Sequence, residues 1–256
     1  MNLSFDMSLA YGYKSSSQIS RRLTEGWVSE NMYCPRCGYD RLAQFDNNRP
    51  VADFYCPMCN EQFELKSKGG TKLERVLDGA YHTMIERITT NENPDFFFLS
   101  YAPLDHVVTN MIVVPKHFFV PEIIEKRKPL ADTARRAGWT GCNILLNSVP
   151  KQGRIHIITN GVIEDMTSVI ENLSRSRALE TQDMNSRGWL LDVLHCVNKM
   201  STDEFSLGQI YQFVALLASK HPDNHNIKAK IRQQLQMLRD RGYIEFLGRG
   251  EYRRVL

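Results

Sequence analysis

No stretch of this 256-residue chain approaches the roughly 20 consecutive apolar residues of a spanning helix, so a membrane protein is not expected. The segment from Met1 to Tyr13 lacks a basic start followed by an apolar core, so no secretory leader is expected and the expected compartment is the cytoplasm. There is no low-complexity tract, and apart from one pair of cysteine knuckles there is no internal repeat, which sets aside solenoids and disordered arrays. Charge of one sign is also scarce: a net charge of +3 is too small to establish a nucleic-acid partner by itself. Cysteine is limited to six residues, and without an export signal a disulfide framework is not expected.

What is present is unevenly placed. From Asn226 to Leu256 there are eight basic residues, Lys228, Lys230, Arg232, Arg239, Arg241, Arg249, Arg253 and Arg254, against Asp240, Glu245 and Glu251. The C-terminal stretch is therefore about +5 and the remainder slightly negative, the footprint of a local anionic partner. Four of the six cysteines form two C-x-x-C pairs, Cys34 with Cys37 and Cys56 with Cys59. Two thiolates at that spacing sit on one tight knuckle, and two knuckles supply the tetrahedral sulfur cage that structural Zn²⁺ prefers. Gly38 follows the first pair, where a knuckle needs a residue that tolerates positive φ. Cys142 and Cys196 lie among apolar neighbours and read as small buried hydrophobes.

Periodicity predicts a helix over Ser15–Asn31, with Ile19, Leu23 and Trp27 on one face, then short strands at Val51–Tyr55 and Gln62–Lys66. A helix is expected over Lys72–Ile88, and strands over Phe96–Tyr101, Met111–Val114, Cys142–Leu146 and Ile155–Thr159. A further helix is expected over Val162–Leu173, and a linker over Ser174–Arg187. Strands interleaved with helices in this order give an α/β fold, a mixed sheet flanked by helices with an embedded zinc site. Beyond it, helices are expected over Arg187–Met200, Phe205–Leu217 with Ser206 as N-cap, and Asn226–Arg241. A hairpin with the turn Leu247 to Gly250 follows; three helices and a basic wing describe a winged helix. The division expected is 1–182 and 183–256.

The candidate chemistry sits at the second knuckle. Asp53 lies before it, and Glu64 and Lys66 lie on the strand after it. Alternation puts Glu64 and Lys66 on one face while Phe63 and Leu65 point to the core. Two carboxylates make a hard oxygen site suited to Mg²⁺, and a neighbouring lysine can orient or help deprotonate an attacking water and offset charge on phosphate. This is a D…E-x-K pattern of the nuclease type; a solvated edge strand is the bland alternative for the triplet alone. On the third C-terminal helix, Ile227, Ile231, Leu235 and Leu238 face the core. The opposite face carries Lys228, Arg232, Gln233, Gln236 and Arg239, with Arg249 on the wing. Arginine and glutamine can read purine edges, and lysine meets phosphate. Trp139, with Arg135 and Arg136 beside it, is a candidate DNA-facing aromatic, with core packing as the other reading. Trp189 and Trp27 read as core, and His221 and His225 read as a surface loop.

The chain resembles, over essentially its whole length, the DpnI-like family of methyl-directed type II restriction endonucleases in the PD-(D/E)XK superfamily. The resemblance is carried by the knuckle Tyr33–Gly38, the runs Asn47–Cys56 and Phe63–Lys68, and the segments Asp78–Tyr81, Asn93–Leu99 and Arg127–Leu130. It continues through Thr133–Trp139, Ser186–Trp189 and Lys230–Gln236. It implies Mg²⁺-dependent cleavage of double-stranded DNA at GATC carrying N6-methyladenine, between the adenine and the thymine, leaving blunt ends. It implies recognition of that site by both domains, with Asp53, Glu64 and Lys66 at the catalytic positions. Pro50 stands three residues before Asp53 rather than next to it, a departure from the superfamily pattern that the family shares. The loops Thr89–Glu92 and Leu104–Thr109 differ, so sequence preference is less fixed than chemistry. A monomer is expected. The other readings are a related nuclease with another methylation preference, and a non-enzymatic regulator built from the zinc site and the winged helix.

Overall fold

Four consecutive large apolar residues, Phe96 to Leu99, set the architecture, because a strand presents them alternately to two faces and both must be covered. The computed structural model describes residues 1–46, 52–90, 93–181 and 183–255. Positions 47–51 (with Pro50 and the start of the strand expected from Val51), 91–92 in the loop after Thr89, and Gln182 in the expected linker lie outside the described residues.

The N-terminal part runs α1 (Ser16–Asn31), β1 (Ala43–Gln44), β2 (Phe54–Tyr55), β3 (Gln62–Gly69), β4 (Arg75–Ala80), α2 (Tyr81–Thr89), β5 (Asp95–Ala102) and β6 (Val107–Val114). It continues with β7 (Ile124–Lys126), β8 (Gly141–Leu145), β9 (Ile155–Thr159), β10 (Val162–Ile163) and α3 (Met166–Ser176). The C-terminal part runs α4 (Met184–Asn198), β11 (Glu204–Ser206), α5 (Leu207–Ile210), α6 (Val214–Lys220), α7 (Ile227–Asp240), β12 (Ile244–Gly248) and β13 (Glu251–Arg254).

The central sheet has the order β1-β2-β3-β5-β6-β9-β10. Among the described residues only β3 and β5 pair in parallel, Phe63 opposite Asp95 through Gly69 opposite Tyr101, so the sheet is mixed. Between these two strands the chain makes β4 and α2. Strand β4 joins β8 and β7 in a small antiparallel sheet, order β4-β8-β7. The alternation at β5 sorts the core into two clusters. Phe97 and Leu99 lie with Leu23, Trp27 and Val28 of α1 and Val169 and Leu173 of α3. Phe96 and Phe98 lie with Met84 and Ile88 of α2, Val76 of β4 and Ile144 of β8. This second cluster is contiguous with Trp189 and Leu190 of α4, Ile231 and Leu235 of α7 and Ile244 of β12. The C-terminal part thus covers one face of the α/β part. The expected fold is met: an α/β structure with a mixed sheet flanked by helices, followed by a helix-turn-helix with a wing.

Several boundaries differ from expectation. The helix expected over Lys72–Ile88 is a strand, β4, followed by the shorter α2. Val76 pairs with Ile144 and Leu77 with Asn143, a long-range ladder that local periodicity cannot report. The helix expected from Val162 starts only at Met166, where Asp165 caps it by accepting from Ser168 N–H. Before it, Asn160 (φ 50°) and Gly161 (φ 78°) make a tight turn that pairs Val162 with Thr159. The expected linker over Ser174–Arg187 is mostly ordered helix: α3 continues to Ser176 and α4 begins at Met184, capped by Asp183. The second C-terminal helix is broken into α5 and α6, and Phe205 belongs to β11. Ser206 caps α5 in a reciprocal box with Gln209.

Candidate active site and metal centre

The two cysteine knuckles have the same backbone. Gly38 N–H donates to the Cys34 carbonyl at 2.9 Å, and Asn60 N–H donates to the Cys56 carbonyl at 2.9 Å. Each turn ends on a residue with positive φ, Gly38 at 78° and Asn60 at 59°, where glycine and asparagine are least strained. The four sulfurs converge, Cys34 to Cys59 at 3.7 Å and Cys37 to Cys56 at 3.5 Å, with all four within 4.8 Å of one another. These separations are far longer than the roughly 2 Å of a disulfide and close to the spacing around a tetrahedral ion with bonds of about 2.3 Å. Burial pushes the Cys34 thiol up and Cys59 up to about 12, so a cage of thiolates there calls for a cation. The donor set fits zinc. Glu61, just past the second knuckle, ties it to the first through Arg36 and to the turn after β6 through Lys116 at 3.0 Å.

The second knuckle delivers the chain directly into the acidic cleft. Asp53 N–H donates to the Phe63 carbonyl at 3.0 Å, which fixes Asp53 beside β3. Its Oδ2 accepts from Leu65 N–H at 2.7 Å, between Glu64 and Lys66. Glu64 and Lys66 share the face expected of them, with side chains 14% and 18% exposed, while Phe63 is buried in the core. Lys66 Nζ lies 2.6 Å from Glu64 Oε1, and Arg87 Nη2 donates to Glu64 Oε2 at 2.5 Å. The cleft, about 360 Å³, is lined by Asp53, Glu64, Leu65 and Lys66 and by Thr24 and Glu25 of α1. Glu25 is buried and held by Arg21 at 2.6 Å.

Burial raises the Asp53 carboxyl above the ordinary range; the Leu65 N–H opposes this and the charge of Glu64 adds to it. For Lys66, burial acts downward, but the carboxylates of Glu64 and Asp78 more than offset it, and the ammonium is held above its usual range. A divalent cation would offset the burial of the Asp53 carboxylate, and the hard oxygens of Asp53 and Glu64 fit Mg²⁺.

In the C-terminal part, Lys228, Arg232, Gln233, Gln236 and Arg239 are exposed along α7 while Ile231, Leu235 and Leu238 are buried. Arg232 Nη1 donates to Tyr211 Oη at 2.8 Å, and Lys228 Nζ lies 5.1 Å from the Tyr211 ring centre. Strands β12 and β13 form the wing, with Arg249 (φ 51°) and Gly250 (φ 82°) at its tip. A sequence model of the DpnI, or Dam-replacing, family matches residues 1–182. A second, for the Dam-replacing helix-turn-helix domain, matches residues 185–254. The chain belongs to the Dam-replacing (DpnI) family.

Membership of the DpnI family supports a methyl-dependent restriction endonuclease that binds DNA through its helix-turn-helix. No helix among the described residues is long and apolar enough to cross a membrane. Within this DpnI-family chain, Arg135 and Arg136 are exposed and Trp139 is half-buried in a turn closed by Leu130 N–H to the Trp139 carbonyl at 2.9 Å. The Arg136 guanidinium lies 4.7 Å from the Trp139 ring centre. The ring rests on Gly141, where an added Cβ would meet it at 2.8 Å. Trp27 and Trp189 are core residues, as expected. His221 and His225 lie in the loop after α6, as expected, and His225 is exposed, but the His221 side chain is turned inward. Pro222 ends α6, and the imidazole folds back to stack on Trp189 at 3.8 Å and meet Asp192 at 2.9 Å. The sequence pattern does not single out Glu25, which lines the cleft from α1, or the partners of its charged groups: Arg87 of α2 on Glu64 and Asp78 of β4 on Lys66.

Proposed function

We propose that this chain cleaves double-stranded DNA at GATC sites carrying N6-methyladenine, by Mg²⁺-dependent hydrolysis that leaves blunt ends. The observation that carries the reading is the placement of Asp53 against the backbone between Glu64 and Lys66, in an open cleft of a DpnI-family chain. Asp53 and Glu64 are the residues that would hold Mg²⁺. When bound, the ion supplies Lewis acidity at the scissile phosphate. Lys66 presents an ammonium to the attacking water and to charge developing on the phosphate, in a cleft where burial strengthens both effects. The cysteine cage acts structurally, because its turn carries Asp53 to β3. The division is read as a nuclease domain over 1–182 and a DNA-binding winged helix over 183–256, acting as a monomer in the cytoplasm.

Arg232, Gln233 and Gln236 are read as base-contacting residues of α7, with Lys228 and Arg249 meeting phosphate. Trp139, flanked by Arg135 and Arg136, offers the flat apolar surface that an added methyl favours. One methyl is worth only about 1 kcal/mol by burial, so strong discrimination is better served by reading both strands. The test is digestion of one GATC-containing plasmid, adenine-methylated or unmethylated, with Mg²⁺ or with EDTA. Mg²⁺-dependent fragments from the methylated DNA alone are expected. Cutting of both preparations would overturn the specificity. A protein that shifts DNA on a gel and cuts neither would be a regulator.

A further inference from the structure

Strand β4 brings a further carboxylate, Asp78, to Lys66, and its chemistry differs from that of Asp53 and Glu64. Val76 and Asp78 share the inward face of β4: Val76 is in the core, and the Asp78 side chain is only 6% exposed. A carboxylate there must be paired. Asp78 accepts from Lys66 Nζ and, through the same Oδ1, from Gly79 N–H at 2.7 Å. The ladder with β8 slips between Asp78 and Ala80, after the pairing of Asp78 with Cys142 and before that of Ala80 with Gly141. Bulges of this kind re-aim a side chain beside an active site. Lys66 is thereby held from two sides, by Glu64 on its own strand and by Asp78 on another. Among the described residues, no three acidic or histidine ligand atoms gather as the four sulfurs do, so Asp78 does not complete a third oxygen position.

We propose that Asp78 is a positioning residue: it holds the Lys66 ammonium between two carboxylates, so that the amine is aimed at the scissile phosphate and does not rest on Glu64 alone. The inference rests on the endonuclease reading above. A long lysine side chain has several rotamers, and an ammonium bonded only to Glu64 would neutralise the carboxylate meant for the metal. A second anchor on β4 keeps one amine hydrogen on each carboxylate and leaves the third for the water or phosphate.

The test uses the full-length protein and a methylated GATC duplex. Single-turnover cleavage with Mg²⁺ is measured beside duplex binding supported by Ca²⁺, for wild type, Asp78→Ala and Asp78→Asn. At saturating DNA, Asp78→Ala is expected to lower the rate by about 100-fold while binding stays within about threefold, as for a misplaced group. Asp78→Asn keeps an acceptor oxygen and is expected to recover part of the loss. If Asp78→Ala melts below the assay temperature, the nearly isosteric Asp78→Asn decides, with a rate clearly below wild type at unchanged binding expected and a wild-type rate overturning the proposal. Wild-type rates in the folded variants, or affinity falling in step with rate, would overturn the proposal. Crystal structures give a readout independent of cutting: the Lys66 amine should leave its place in Asp78→Ala, and an unmoved amine would overturn the proposal. A wild type that does not cut, with an amine that still moves, would sink the endonuclease reading and leave the anchor standing.

Discussion

Arg87 and Glu64 join α2 to β3, the Arg87 guanidinium donating to Glu64 Oε2 at 2.5 Å. The two side chains are 17% and 14% exposed, so solvent screens the pair less than a surface bridge. The pairing fixes the rotamer of a carboxylate whose other oxygen faces Lys66. Arg87→Ala should release Glu64 and slow cleavage by roughly 10- to 100-fold, with Arg87→Lys in between, because a lysine cannot reproduce a planar guanidinium contact. Single-turnover rates at saturating Mg²⁺ and DNA check this; unchanged rates in a folded Arg87→Ala protein would show that Glu64 needs no such support.

Asp53→Asn should separate function from stability. The fold raises the Asp53 carboxyl by burial, so the native state resists the charge that the carboxylate carries at neutral pH. The sign follows: above the ordinary carboxylate range, the ionised group costs folding free energy, and a neutral amide removes that cost. Metal-free Asp53→Asn should melt higher than wild type and cut at background level. Added Mg²⁺ should raise the melting temperature of wild type more than that of the variant. Thermal melts with EDTA and with Mg²⁺ measure both effects, and a variant that melts lower without metal would contradict the desolvation argument.

The parts of this site that were legible in the sequence are those built from local chain. The C-x-x-C knuckles need only a tight turn, and Gly38 and Asn60 supply it within the same few residues. The shared face of Glu64 and Lys66 follows from strand alternation alone. Asp78 was hidden because Leu73, Val76, Leu77, Met84 and Ile88 imitate a helical stripe. What decides for a strand is Ile144 and Asn143 on β8, far away in sequence. Arg87 gave no signal, since an arginine on a helix is ordinarily solvated until the sheet it covers is known. The Asn160–Gly161 turn carried a readable signal, overridden by the apolar residues that follow it.

Acid should weaken the fold through His117. Burial pushes this imidazole down to about 3 from 6.5, and Nε2 donates to the Ser176 carbonyl at 2.8 Å. A depressed histidine binds its proton more readily when unfolded, so stability is lost as pH falls below about 6.5 and continues to fall towards 3. The slope from this group approaches about 1.4 kcal/mol per pH unit at most. Urea unfolding at several pH values between 7.5 and 4.5 should show the decline, on the order of 1–3 kcal/mol across that window. His117→Gln keeps an N–H donor without titrating and should flatten it. An equal slope in the variant would assign the acid sensitivity elsewhere.

Removing zinc should cost the α/β part its stability. Cys34 and Cys56 are buried within the same cluster as Trp27, Phe63 and Phe97, so an empty cage removes the link that holds the two knuckles against this core. Structural zinc sites contribute folding free energy directly, on the order of 10 kcal/mol in small zinc domains. A strong chelator should therefore lower the melting temperature and abolish cutting even after Mg²⁺ is restored, and added Zn²⁺ should reverse both losses. Protein with one bound zinc by mass spectrometry and unchanged melting after its removal would refute the structural role.

Arg249 offers a case where stability and binding should move in opposite directions. It occupies a left-handed backbone position, φ 51°, at the exposed tip of the wing, followed by Gly250 at φ 82°. Two successive positive φ values describe the tight hairpin turn that glycine and asparagine prefer. A non-glycine residue there carries about 1 kcal/mol of backbone strain. Arg249→Gly relieves that strain but enlarges the entropy of the unfolded chain, so its stability should match or slightly exceed wild type, within about 1 kcal/mol. The same change removes an exposed cation read as a phosphate contact. Affinity for duplex DNA should fall for specific and nonspecific sequences alike, and the slope of log affinity against log salt should shrink by about 0.9. Urea melts and salt-dependent anisotropy titrations measure the two sides. A lowered affinity with an unchanged salt slope would remove Arg249 from the phosphate contacts and point to the shape of the wing instead.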